Sequence, residues 1–148
     1  MVGKIKFAPG TFASLIASLL FLFFINIINI FSFFLITLIF FCYSFFAINN
    51  AFDDFESDDP QEIVIDEVVG QMLVLLAIPV YETLYPLPVF YYCVLAFLLF
   101  RLFDIWKPYP ISYIDNNVKG ALGIMLDDIF ASIYSIVILS LIFFFLGG

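Results

Sequence analysis

Histidine is absent from this chain, and only five of its 148 residues are basic. Without histidine, no phosphatase scheme built on a histidine nucleophile can operate. The usual neutral-pH proton carrier and metal ligand is missing as well. The five cations, Lys4, Lys6, Arg101, Lys107 and Lys119, face thirteen acids, for a net charge of −8. Nucleic-acid binding wants a basic surface, so this balance excludes it. Cysteine is almost as scarce. Cys42 and Cys93 lie far apart, each inside an apolar run. There is therefore no CxxC metal or redox pair, and no Cys-x5-Arg phosphatase loop. A GxxxxGK[ST] loop that would hold a nucleotide is missing, as is the Asp-x-Asp-x-Thr pattern of aspartyl phosphatases.

What fills the chain instead is apolar. Hydrophobic residues make up 65% of it and charged residues 12%, where a soluble domain is about 45–50% apolar. A globule of this size has too little interior to hide that much Phe, Leu and Ile. Lipid must solvate most of the surface. The expected fold is all-α, a polytopic membrane helix bundle in one domain over residues 1–148, with no internal repeat. The first apolar run follows basic residues but is not followed by a small-residue cleavage site, so it reads as a retained helix rather than a removed signal.

A helix needs about 20 apolar residues to span a bilayer. Residues 12–29 and 31–48 are the first two candidates. The uncharged break at Asn26, Asn29 and Ser32 reads as a tight turn, giving about five helices; one merged or re-entrant segment would leave four. Residues 49–62 form an acidic loop. Asp59 as cap, Pro60 at the first helical position and Glu62 three after the cap predict the start of a third helix. It runs to about Ala77, stopped before Pro79, and residues 79–88 form a short turn. A fourth helix covers 88–106 and ends where Lys107 precedes Pro108. Residues 107–119 form a loop, and a fifth helix covers 120–146. Lys and Arg in short loops mark the cytoplasmic side. Lys4 and Lys6 place the amino terminus inside, and five spans then put Lys107 and Lys119 inside too.

Acids within apolar helices cost on the order of 2.5–3.5 kcal/mol each near the helix centre. Asp66 and Glu67 in the third helix, Asp104 in the fourth, and Asp127 and Asp128 in the fifth all fall near the cytoplasmic ends. Each alone has an ordinary structural explanation. Arg101 and Asp104 stand at i and i+3 as a helix-surface pair, and Asp66 and Glu67 suit the positive end of a helix. Together they put carboxylates from three separate helices at one depth. Carboxylates without histidine or thiolate favour a hard cation such as Mg²⁺, Mn²⁺ or Ca²⁺. A bound cation would reverse the sign of an acidic pocket toward a phosphate monoester. Arg101, Lys107 and Lys119 can neutralise phosphate oxygens. The stretch from Ala8 to Thr11 can add backbone N–H groups at a helix start, although that signal is weak alone and a plain helix cap explains it better.

Four segments carry a resemblance: Ala8-Pro-Gly-Thr-Phe-Ala-Ser14, Asp59-Pro-Gln-Glu-Ile-Val-Ile-Asp-Glu-Val-Val-Gly-Gln71, Phe100-Arg-Leu-Phe-Asp-Ile-Trp-Lys-Pro-Tyr-Pro110 and Val118-Lys-Gly-Ala-Leu-Gly-Ile-Met-Leu-Asp-Asp128. In that order the chain resembles the phosphatidylglycerophosphatase A family of bacterial lipid phosphatases. It departs from the family at Ala13 and Gln61, where glycine is common. The resemblance implies removal of the terminal phosphate of phosphatidylglycerophosphate, Mg²⁺ dependence, an anionic phospholipid substrate and an inner-membrane location, and implies no protein partner. On that reading Mg²⁺ is held by a subset of Asp66, Glu67, Asp104, Asp127 and Asp128. Arg101, Lys107, Lys119 and Thr11 take the phosphate, and a carboxylate, Asp127 or Asp128, activates water. An aspartyl-phosphate intermediate stays open. The competing reading is a cation transporter or channel using the same acids. It wants polar residues onward through the outer halves of the helices, which here are nearly uniform Phe, Leu and Ile. A non-catalytic membrane scaffold, indifferent to Asp→Asn changes in the cluster, is the third.

Overall fold

A computed structural model of the chain describes residues 9–54, 64–85 and 87–147. Among these residues it forms seven helices and no strand: α1 (Pro9–Phe24), α2 (Ile30–Asp54), α3 (Ile65–Leu75), α4 (Ile78–Leu84), α5 (Val89–Trp106), α6 (Ile111–Asn117) and α7 (Gly120–Gly147). The all-α membrane bundle expected from composition is observed. Four stretches are long and apolar enough to cross a membrane: Ile30–Asn50, Ile65–Leu84, Val89–Trp106 and Gly120–Leu146. The protein is a multi-pass membrane protein.

The open question over the first two runs resolves as two helices. The Asn29 side-chain oxygen accepts a hydrogen bond from the Ser32 backbone N–H at 2.8 Å, which satisfies a first-turn donor of α2 and restarts the helix there. At 16 residues α1 is about 24 Å long, shorter than a full hydrocarbon core of about 30 Å. Its serines stay in an apolar helix by donating to their own turn: Ser14 to the Gly10 carbonyl at 2.9 Å and Ser18 to the Ser14 carbonyl at 3.0 Å.

Three predicted boundaries need correction. The acidic loop expected from residue 49 is helical as far as Asp54, because α2 simply continues. The segment 79–88, read as a turn for its prolines, contains α4. Pro79 stands in the first turn of that helix, where its missing N–H costs nothing, so it restarts a helix instead of ending one. The loop 107–119 contains α6, whose Ile111 and Ile114 are buried and anchor it. The predicted cap at Asp59 lies outside the described residues. The helix seen there starts at Ile65, with Val64 as its cap.

Helix α3 is central and packs against α1, α2, α5 and α7. Phe21 of α1 shares a core with Leu75, Ile78, Tyr92 and Leu139, while Ile48 near the end of α2 packs with Val69, Ala121 and Met125. Those two clusters set the directions: α1, α3–α4 and α7 run one way, α2 and α5 the other. The starts of α1, α3 and α7 therefore meet the ends of α2 and α5 at one end of the bundle. Gly70 permits this convergence. A Cβ there would stand 2.6 Å from the Phe100 ring and 3.2 Å from Cβ of Asp128. At the opposite end the tyrosine hydroxyls find partners within the bundle. Tyr81 Oη meets Ser140 Oγ at 2.7 Å, and Tyr92 donates to the Tyr85 carbonyl. Large side chains such as Phe31, Ile39 and Phe46 face outward along α2, as a lipid-facing helix requires.

Candidate active site

The convergent end of the bundle is where the acids are. Asp66 and Glu67 lie in the first turn of α3, not the second, since the helix starts later than predicted. A carboxylate in a first turn faces the positive end of the helix dipole. Arg101 and Asp104 occupy the last two turns of α5. Asp127 and Asp128 are about 10–12 Å into α7 at the usual helical rise, and the start of α7 is set by Gly120, whose φ of +77° suits glycine.

Arg101 ties two helices together. Its guanidinium approaches Asp104 Oδ2 at 2.6 Å and Glu67 Oε1 at 3.5 Å. Both are partly buried pairs, with Arg101 itself 9% exposed. The Arg101–Asp104 helix pair is thus real, but it also reaches across to α3, which a simple surface pair would not do. Asp128 interacts with Asp66 of α3 and with Asp104 of α5. Asp127 turns the other way. Its Oδ2 accepts from Lys107 Nζ at 2.8 Å, and its Oδ1 from the Asp128 backbone N–H at 3.1 Å. Adjacent acids about 100° apart on a helix therefore serve different neighbours, as their spacing implied.

Lys107 sits just past α5 with φ 45° and ψ 58°, the left-handed conformation that ends helices. That turn brings its side chain back over the site, where Nζ also meets Asp115 Oδ1 at 2.6 Å. Burial alone would lower its pKa. The hydrogen bonds to Asp115 and Asp127 outweigh burial and hold it above the ordinary lysine value, so Lys107 is a fixed cation at neutral pH.

Of the residues singled out in the sequence, Asp66, Glu67, Arg101, Asp104, Lys107, Asp127 and Asp128 come together. Lys119 is exposed and, among the described residues, takes part in no ion pair. Thr11 is half-buried in the first turn of α1. The element of that turn that meets the site is Gly10, where a Cβ would lie 1.6 Å from Glu67 Oε1. Sequence reasoning missed three residues. Asp115 looked like loop polarity. Gly10 was valued for its N–H group rather than for its missing side chain. Gln71 carried no reading beyond its place at the end of the second matching segment. It is fully buried, and neither end of its amide has a hydrogen-bond partner. Its spacing from Glu67, i and i+4 on one helix face, was the available signal.

Several carboxylate oxygens of the site are likewise unsatisfied: Asp66 Oδ1, Glu67 Oε2 and Asp128 Oδ1 are buried without a partner. Buried acids so arranged, with an arginine and a lysine beside them, are suited to an anionic group that arrives with a cation. The family described as phosphatidylglycerophosphatase A matches residues 1–143. The chain belongs to that family. A phosphatidylglycerophosphatase A of Haemophilus influenzae is 34% identical over 136 residues, 92% of this chain and 79% of the relative. That of Escherichia coli K12 is 31% identical over 133 residues, 90% of this chain and 73% of the relative. A Bacteroides thetaiotaomicron protein provisionally named phosphatidylinositol-3-phosphatase is 32% identical over 141 residues, 93% of this chain and 85% of the relative. No solved structure matches the chain. Membership of this lipid phosphatase family makes a membrane phospholipid the substrate class, in keeping with charged groups gathered at one end of an apolar bundle.

Proposed function

We propose that the chain is a Mg²⁺-dependent phosphatidylglycerophosphatase. It would hydrolyse the terminal phosphate of phosphatidylglycerophosphate at the cytoplasmic face of a bacterial inner membrane. The observation that carries this reading is the meeting of Asp66 with Asp128, buried carboxylates with open oxygens, in a cluster whose other acids hold the cations Arg101 and Lys107. The donor set consists of hard oxygens, which fits Mg²⁺. Among the described residues no group of three such side chains stands in ligating geometry. An ion here would therefore be held by one or two carboxylates, with water and substrate phosphate completing its shell. Asp66 and Asp128 would hold it. Glu67 and Asp104 are engaged with Arg101, and Asp127 with Lys107. When bound, the ion supplies Lewis-acid polarisation of the phosphoryl group and a lowered water pKa.

The remaining work falls to the chain's own side chains. Arg101, held at one guanidinium nitrogen by Glu67 and Asp104, presents the rest of its planar fork to the phosphate oxygens. Lys107 adds a point charge from the opposite flank. Asp127, next to Lys107, is placed to accept a proton from the attacking water. The apolar outer surface keeps the lipid tail in the bilayer, so the headgroup reaches the acids at the level of the interface. The excess of basic residues at Lys4, Lys6, Lys107 and Lys119 supports a cytoplasmic position for this end.

The test is phosphate release from phosphatidylglycerophosphate by purified protein in mixed micelles, with and without EDTA. Release that stops with EDTA and returns with Mg²⁺ is expected. Undiminished release in EDTA sinks the metal-dependent version. A phosphatidylinositol 3-phosphate arm belongs beside it because of the Bacteroides relative's name, and faster release from that lipid would reassign the headgroup.

A further inference from the structure

Lys107 is gripped by two acids from different elements, Asp115 on α6 at 2.6 Å and Asp127 on α7 at 2.8 Å. The two are not equivalent. The Asp127 side chain is 10% exposed and that of Asp115 41%. Asp115 rides on a short helix that spans nothing. That helix is held against α7 by buried Ile111 and Ile114, and the chain just before it is tied down where Tyr134 Oη donates to the Tyr109 carbonyl at 2.9 Å.

We propose that Asp115 is a positioning residue that aims the Lys107 ammonium at the substrate phosphate and keeps Asp127 from monopolising it. The proposal rests on the phosphatase reading. Lysine has a flexible four-carbon stem and three N–H donors. Two donors are spent on Asp115 and Asp127, and the third is left for a phosphate oxygen. With Asp115 removed, Asp127 is the one strong acceptor remaining. The ammonium then settles against Asp127 and is presented less well to the phosphate. With Asp115 present, the ammonium is anchored from its solvent side as well, and its third donor stays turned toward an arriving phosphate.

The plain alternative is a staple that merely fastens α6 to the end of α5. The two readings differ in what they move. A staple changes thermal stability alone; a positioning residue changes phosphate recognition and does so through Lys107. The experiment uses the full chain in micelles, with Asp115→Asn, Asp115→Glu, Lys107→Met and the Asp115→Asn/Lys107→Met double variant. It measures KM and kcat on the lipid substrate, and protection against thermal unfolding by inorganic phosphate.

Asp115→Asn is expected to raise KM and weaken phosphate protection by about three- to fivefold, the weight of a partly exposed ion pair. Its kcat should stay within about twofold on that same basis. Asp115→Glu should restore both, and Asp115→Asn should add nothing in the Lys107→Met background. Unchanged KM and phosphate protection in Asp115→Asn, or an effect that persists without Lys107, overturns the proposal. The phosphate arm needs no turnover. A wild-type protein that binds phosphate but releases none from lipid defeats the phosphatase reading and leaves Asp115 to be judged on protection. A wild-type protein that releases phosphate from lipid without being protected by it upholds the phosphatase reading, and Asp115 is then judged on KM.

Discussion

A methyl group on Gly10 would fall on the Glu67 carboxylate. The added Cβ would stand 1.6 Å from Oε1, 2.1 Å from Cδ and 2.4 Å from Oε2. Ordinary contact needs about 3.5 Å, so in Gly10→Ala the carboxylate must retreat by nearly 2 Å. It is the far end of a flexible side chain, so the helices need not part. The pair that gives way is Glu67 with Arg101, already at 3.5 Å, whereas Arg101 with Asp104 at 2.6 Å survives. Losing one charge-assisted hydrogen bond costs about 1.5–3 kcal/mol. Alanine within a helix returns about 0.5–1 kcal/mol relative to glycine. The net loss of stability is on the order of 1–2 kcal/mol by the difference of those two terms. The cost to activity is larger, because a 1 Å misplacement of a positioning group costs up to about 100-fold. The assay pairs phosphate release with thermal unfolding for Gly10→Ala and for Gly10→Ala/Glu67→Asp. The shorter acid clears the methyl group and should recover part of the lost activity. A Gly10→Ala protein with wild-type turnover refutes the reasoning. So does a double variant no better than the single.

Three further outcomes are expected. Gln71→Leu replaces a fully buried amide with no partner at either end, and each such orphaned group costs about 1–3 kcal/mol. The variant should therefore unfold at higher temperature, and a lower one would show that the amide has a partner such as water. Arg101→Lys keeps the charge but loses the planar guanidinium, whose N–H groups beyond the one nitrogen facing Glu67 and Asp104 are left for phosphate oxygens. It should raise KM about tenfold, the value of one lost charge-assisted contact, and a KM within twofold of wild type would count against Arg101 as the phosphate clamp. Mg²⁺ should protect the wild type against thermal unfolding but not Asp66→Asn or Asp128→Asn, as metal linkage requires. Equal protection of all three would place the ion elsewhere.

The acids announced themselves in the sequence because their cost in lipid is high enough that few other reasons keep them there. The same logic made Arg101 and Lys107 visible. Boundaries were less legible. Pro79 and the 107–119 segment were read as breaks, since sequence rules treat proline as punctuation, yet both sites carry short helices. Packing on the bundle, as with buried Ile111 and Ile114, holds turns that propensity alone would leave open. Asp115 was overlooked because nothing local distinguishes it from the neighbouring Asn116 and Asn117. Its importance lies in Lys107, eight residues earlier, turning back over α5 in a left-handed conformation.

Composition by itself determined that this chain lives in a membrane, that it is helical, and that its charge is concentrated where the helices end. Those are consequences of solvent: apolar surface goes to lipid and ionisable groups do not. Which acid faces which was decided only by tertiary structure. Asp127 and Asp128 are neighbours in the chain, yet one meets Lys107 and the other Asp66. The sequence could assign them no partners, because partners are chosen by how helices from distant stretches are rotated against one another, and that rotation is set by close packing at positions such as Gly10 and Gly70.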